Sequence, residues 1–147
     1  MSKESWLKKY YPIDARVAAH KGVIAAIKHG QLKYSGCKPK VLKKHELYLL
    51  PGDSPMLLVG ELCIIGGSTL EEVMTFGRMT CALCQKFNCQ GQESGPRQCP
   101  LDAIDACCVN FPSPYSHFIE TGDPTKMLAA FKEALVWAKE NYGQEEV

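Results

Sequence analysis

Leu47-Tyr48-Leu49-Leu50-Pro51-Gly52-Asp53-Ser54-Pro55-Met56-Leu57-Leu58-Val59-Gly60-Glu61-Leu62-Cys63-Ile64-Ile65 is where the texture of this chain changes. Two apolar runs flank a cluster of Pro, Gly, Asp and Ser, and neither run has the 3.6-residue spacing of an amphipathic helix. They read as two strands around a loop, a short β-hairpin within residues 47–66, with Gly60 placed to mark a bulge in the second strand. Everything on either side is patterned for helices. The expected fold is therefore α+β, a mostly helical single domain over residues 1–147 with a short β-hairpin and a Cys-rich metal-binding knuckle.

Upstream, residues 1–46 form a basic helical part. Residues 2–10 suit a short helix, with Ser2 as cap, Trp6, Leu7 and Tyr10 on one face, and Pro12 as its end. Asp14 caps a second helix running to about Tyr34, with Val17, Ile24, Ile27 and Leu32 as its apolar stripe. Gly22 and Gly30 weaken it by ~1 kcal/mol each relative to Ala. Pro39 opens a third helix through His45. Downstream, Ser68-Thr69-Leu70-Glu71 has the capping-box pattern and predicts a helix over 69–75. Pro100 opens a short helix through Leu101 and Ile104. The closing helix, 123–142, has Asp123 as cap, Pro124 in its first turn and Gly143 as its stop; Leu128, Phe131, Leu135 and Ala138 form its stripe, with Val136 beside it.

At 147 residues the chain suits one domain with its own core. Apolar residues are 46% and charged residues 22%, ordinary for a globular protein. No apolar run nears the ~20 residues that span a bilayer, and the charged start lacks a signal-peptide core. The expectation is a cytoplasmic protein that does not engage a membrane. Net charge is only +1, but residues 1–60 hold eleven Lys/Arg against four Asp/Glu, and residues 61–147 hold six against twelve. Such asymmetry marks either a polyanion-facing half or two surfaces that meet in the fold.

Six of the eight cysteines fall within 81–108: Cys81, Cys84, Cys89, Cys99, Cys107 and Cys108. In a reducing compartment such density points to a soft metal rather than to disulfides. Structural zinc takes four N or S ligands in a tetrahedron, and a C-x2-C pair turns two sulfurs toward one ion. Cys81, Cys84, Cys89 and Cys99 are the simplest set. Were a helix unbroken from Pro100 to Cys108, residues 99 and 107 would lie ~12 Å apart along its axis. Two sulfurs on one zinc lie within about 4 Å, so Cys107 or Cys108 replaces Cys89 or Cys99 only if that helix breaks early. An iron–sulfur cluster is the alternative cofactor: Cys99-Pro100 matches the end of one ferredoxin motif, although the preceding spacings differ. Cys63, within an apolar strand, and Cys37 read as unliganded.

The four histidines, His20, His29, His45 and His117, make no zinc-hydrolase motif, and the chain has no phosphate loop, dinucleotide fingerprint or nucleophile elbow. A non-enzymatic role is expected. Lys28, Lys33, Lys38, Lys40, Lys43 and Lys44 follow one another without an acid, with Tyr34 among them. They make either a solvated helical face or a nucleic-acid surface.

Several short motifs, in order along the chain, resemble those of small Cys-rich accessory proteins of tailed phages and prophages, whose roles are uncharacterised. They are Lys3-x2-Trp6-Leu7-x2-Tyr10-Tyr11-Pro12, His29-x2-Leu32-Lys33-Tyr34-x-Gly36, Cys81-Ala82-Leu83-Cys84 with Cys99-Pro100-Leu101, Ser113-Pro114-Tyr115, and Gly122-Asp123-Pro124 with Met127. The family pattern has C-x2-C followed by C-x2-C-P; here Pro96 stands in place of a Cys, and Cys89 must substitute as third ligand. The resemblance implies an accessory protein in a bacterial host cytoplasm, with an unidentified protein or other macromolecule of phage or host as partner.

Overall fold

The computed structural model describes residues 2–52, 55–59, 72–77, 80–87, 100–104 and 113–142. It is a mostly helical α+β fold: α1 Ser2–Tyr10, α2 Ala15–His20, α3 Val23–Ser35, α4 Pro39–His45, β1 Leu47–Leu50, β2 Met56–Val59, β3 Glu72–Thr75, α5 Ala82–Phe87, α6 Pro100–Ala103, α7 Pro114–Thr121 and α8 Thr125–Tyr142. No helix of the described residues is long and apolar enough to cross a membrane.

The single helix expected over 14–34 is two. Gly22 sits at φ 123°, ψ 174°, a conformation that only glycine adopts readily, and its carbonyl accepts from the Ala26 amide at 3.0 Å to start α3. Asp14 does cap α2, its carboxylate accepting from the Arg16 amide at 2.8 Å. The turn at Gly22 also changes which side chains face inward. Ile24 and Ile27 are buried with Ala15, Ala18, Val23 and Ala26, while Val17 and Leu32 are exposed.

α3 is the spine. Two of its neighbours approach so closely that glycine is required. A Cβ on Gly30 would lie 2.6 Å from Phe131 Cζ of α8. A Cβ on Gly36, just past α3, would lie 2.7 Å from Trp6 Cζ2 and from Tyr10 Cγ of α1. The Trp6 indole N–H donates to the Gly36 carbonyl at 2.9 Å, so the same close approach satisfies the one polar atom of a fully buried ring. Around Tyr34 the rings of Phe76, Phe118 and Phe131 have centroids 5.7, 5.0 and 5.7 Å away, and Phe118 meets it edge-on.

The hairpin forms as the apolar runs predict, β1 antiparallel to β2 with Leu47 opposite Val59 and Leu50 opposite Met56. A third strand joins it. β3 pairs antiparallel with β2 in the order β1-β2-β3, with an irregularity between Leu57 and Leu58. Residues 72–75 were expected in a helix, and this is corrected. Glu72-Val73-Met74-Thr75 has two β-branched residues and completes its hydrogen bonding on β2, which outweighs the upstream capping pattern. The bulge expected at Gly60 and the strand beyond Val59 lie outside the described residues.

α7 had no sequence expectation. Ser113 caps it reciprocally with Ser116: the Ser116 amide donates to Ser113 Oγ at 3.0 Å and the Ser113 amide to Ser116 Oγ at 2.7 Å. Gly122, at φ 76°, ends it. Asp123 then starts α8, accepting from the Thr125 amide at 3.0 Å and the Thr125 hydroxyl at 2.7 Å. The buried line of α8 is Met127, Ala130, Phe131, Ala134 and Ala138, rotated slightly from the expected stripe. Leu128 and Leu135 are half-buried on its flank, and Val136 is exposed.

Candidate metal centre

The approach to Cys81 is fixed from the core outward. β3 leads through Phe76 to a turn in which the Thr80 amide donates to the Gly77 carbonyl at 3.2 Å. The Thr80 hydroxyl donates to the Thr75 carbonyl at 3.0 Å and accepts from the Gly77 amide at 3.1 Å. The Thr80 carbonyl, one residue before Cys81, accepts from the Lys33 ammonium at 2.7 Å.

Lys33 has 0% exposure. Its Nζ lies 4.8 Å from the centre of the Tyr34 ring and 5.3 Å from that of Phe76. Taking an ammonium out of water costs several kcal/mol unless hydrogen bonds and charge compensate, and the carbonyl and two ring faces do part of this. The expectation that Lys33 contributes to a basic face is therefore corrected. It falls on the Ala26–Gly30–Lys33 line of α3, which faces the core. Tyr34, which lies among these lysines in the sequence, is likewise buried. Lys28, Lys38, Lys40, Lys43 and Lys44 are exposed.

Cys81 immediately precedes α5. Its Sγ accepts from the Cys84 amide at 3.4 Å, and its carbonyl accepts from the Gln85 amide at 3.0 Å. An N–H aimed at a sulfur orients it, as outer contacts do for metal ligands generally. Ala82 and Leu83, between the two thiols, are buried, so the helix start cannot turn without exposing both. Cys84 is buried and Cys81 half-buried. α5 packs on α2 and α3. The structure thus brings together the first two of the four predicted ligands. Among the described residues, no three His, Cys, Asp or Glu side chains gather as a metal-binding group. Cys89 and Cys99 lie outside the described residues, as do Cys107, Cys108 and Cys63.

α6 bears on the choice among the remaining cysteines. It ends at Ala103, with Ile104 in a turn. The helix from Pro100 is thus not continuous to Cys108, and the separation an unbroken helix would impose does not hold Cys107 away from Cys99. Both Cys107 and Cys108 stay alternatives to Cys89 and Cys99.

Other titratable groups sit near this end of α3. Burial raises the Tyr11 phenol's pKa, with the negative charges of Asp14 and Cys81 adding, although a hydrogen bond from the Ala15 amide opposes this. The His29 ring meets Tyr11 edge-on at 4.9 Å. Its Nε2 donates to the Ile13 carbonyl at 2.8 Å, leaving Nδ1 as a buried lone pair with no hydrogen-bond partner. Burial holds its pKa below the usual imidazole range, so the ring is neutral. Cys37 is a buried thiol with its pKa pushed up to about 12 by burial; its Sγ faces the Lys33 carbonyl at 3.8 Å. His117, the histidine closest to the cysteines in sequence, has Nε2 3.7 Å from the Asp123 carboxylate.

Sequence reasoning missed Lys33 and Tyr11 as neighbours of the thiols. For Lys33 the signal was present, since helical spacing puts it in line with Ala26 and Gly30. For Tyr11, which lies between two helices, no local pattern exists. No protein-family model matches the chain, and no curated protein or solved structure is significantly similar to it.

Proposed function

We propose that this chain is a metal-stabilised binding protein rather than an enzyme, with one structural zinc held by Cys81, Cys84, Cys89 and Cys99. The observation supporting it most is the Cys84 N–H to Cys81 Sγ bond at the head of a helix packed on α2 and α3. Two soft donors with two residues between them, one sulfur already oriented, are the chemistry a tetrahedral thiolate site needs. When bound, the ion supplies a cross-link between α5 and the polar, Gly-containing segment that follows. In small peptides such an ion is worth ~10–16 kcal/mol of apparent binding free energy, against ~5–15 kcal/mol for the stability of a whole domain. The partner we infer is a macromolecule of a phage or its bacterial host.

Elemental analysis with a visible spectrum of the same sample tests the metal. About one zinc per chain without colour supports the reading; iron with sulfide and visible absorption replaces it with a cluster; neither metal refutes both. A second reading, nucleic-acid binding, is favoured by the exposure of Lys28, Lys38, Lys40, Lys43 and Lys44. No salt-sensitive retention on DNA or RNA at low ionic strength would rule it out.

A further inference from the structure

Beside the first two thiols, α2 and α5 flank an open groove of about 420 Å³, lined by Arg16, Ala19, His20, Gln85 and Lys86. We propose that it binds a phosphate group. Arg16 and His20 are one helical turn apart on α2 and so share a face. Gln85 and Lys86 come from α5, directly after Cys84. Among the described residues the groove is lined by two cations, an imidazole and an amide, and no carboxylate.

The three basic side chains keep donors for a ligand. Arg16 places Nε on the Asp14 carboxylate at 3.2 Å, and this contact fixes the guanidinium while leaving its terminal nitrogens without another partner among the described residues. Lys86 and His20 likewise have no hydrogen-bond or ion-pair partner among the described residues. Cationic groups that converge on one cavity with donors to spare suit a ligand that supplies the acceptors.

Phosphate fits better than carboxylate. A carboxylate has two oxygens, which one guanidinium fork saturates. Here donors approach from two helices, and a tetrahedral group with three or more free oxygens can meet them together. The groove is also within the ~300–1,000 Å³ range of small-ligand sites, larger than a bare phosphate needs, so the organic group bearing the phosphate has room. That group is a terminal phosphate ester or a nucleic-acid backbone; the phosphate chemistry is common to both.

The test is calorimetric titration of the full chain with inorganic pyrophosphate at low ionic strength, alongside the Arg16→Gln/Lys86→Gln double variant. Neither change touches a fully buried side chain, and thermal unfolding and metal content of the variant are measured on the same samples. The expected result is saturable one-site binding, weakened at least about tenfold in the double variant, since two charged hydrogen-bond donors are removed. No binding up to ~10 mM, or equal binding by the variant with an unchanged unfolding midpoint, overturns the proposal. A five-nucleotide oligothymidylate displaced by pyrophosphate identifies a backbone phosphate; pyrophosphate binding alone identifies a terminal phosphate. Because the groove residues are not metal ligands, pyrophosphate binding by a preparation that takes up no metal would refute the zinc reading and leave this one standing.

Discussion

The Lys33 ammonium and the Thr80 carbonyl, 47 residues apart in sequence, meet at 2.7 Å inside the protein. One charged side chain thereby ties the spine helix to the residue that precedes the first thiol. Lys33→Met keeps the length and removes the donor. It should cost about 1.5–3 kcal/mol, because the carbonyl loses a charged partner. Urea unfolding measures this, and an unchanged midpoint would show that the contact contributes nothing.

The two classes of cysteine should separate under substitution. Cys81→Ser and Cys84→Ser should each abolish stoichiometric zinc, and chelation of the wild type should lower its unfolding temperature toward theirs. Cys37→Ser should keep the metal and lose stability only, because Cys37 is a neutral buried thiol. In the native state Cys37 should alkylate far more slowly than after unfolding, since the reactive thiolate is suppressed. Fast native labelling would mean that its surroundings open.

Gly30→Ala should destabilise by about 1–3 kcal/mol through overpacking, because the new methyl meets the Phe131 ring. Phe131→Leu alone leaves a void, yet added to Gly30→Ala it should recover part of the loss. A double-mutant cycle reads this directly. Strict additivity would place the glycine's role elsewhere.

His29 should make stability depend on pH. Its folded-state pKa lies below the unfolded value, so the unfolded chain takes up the proton more readily. The contribution is complete above an unfolded pKa of ~6.5 and is lost as pH falls through the folded value. His29→Gln can keep a donor toward the Ile13 carbonyl but cannot titrate. Denaturation midpoints at ~pH 7.5 and ~pH 5 should therefore differ less in the variant than in the wild type. An identical pH slope would refute the assignment. Asp123 loses its hydrogen-bonded stabilisation in acid in both proteins and cancels in the comparison.

What was legible beforehand follows the range of the interaction involved. Caps are local: Asp14, Asp123 and the Pro39 start read correctly because each acts within one turn. The hairpin read correctly because its two runs are adjacent. β3 did not, since its strand state depends on β2, and Ser68 to Glu71 offered a stronger local signal of the opposite kind. α7 was missed because its reciprocal cap uses Ser116 where the familiar pattern has Glu or Gln. Of the metal site, the spacing of Cys81 and Cys84 was visible, whereas the buried ammonium behind Thr80 comes from a contact no local window contains. The exposed lysine face was overread by one residue, although the helical spacing of Ala26, Gly30 and Lys33 carried the signal that Lys33 faces inward.

The meeting of Gly30 with Phe131 has a consequence for synthesis. The spine helix leaves the ribosome about a hundred residues before the ring that packs against it, and domains whose contacts span such separations close late. The pair of thiols at Cys81 and Cys84 emerges in that interval, ahead of α8. The nascent chain therefore presents its sulfurs to solvent before its interior can shut, and metal capture or thiol oxidation competes in that window.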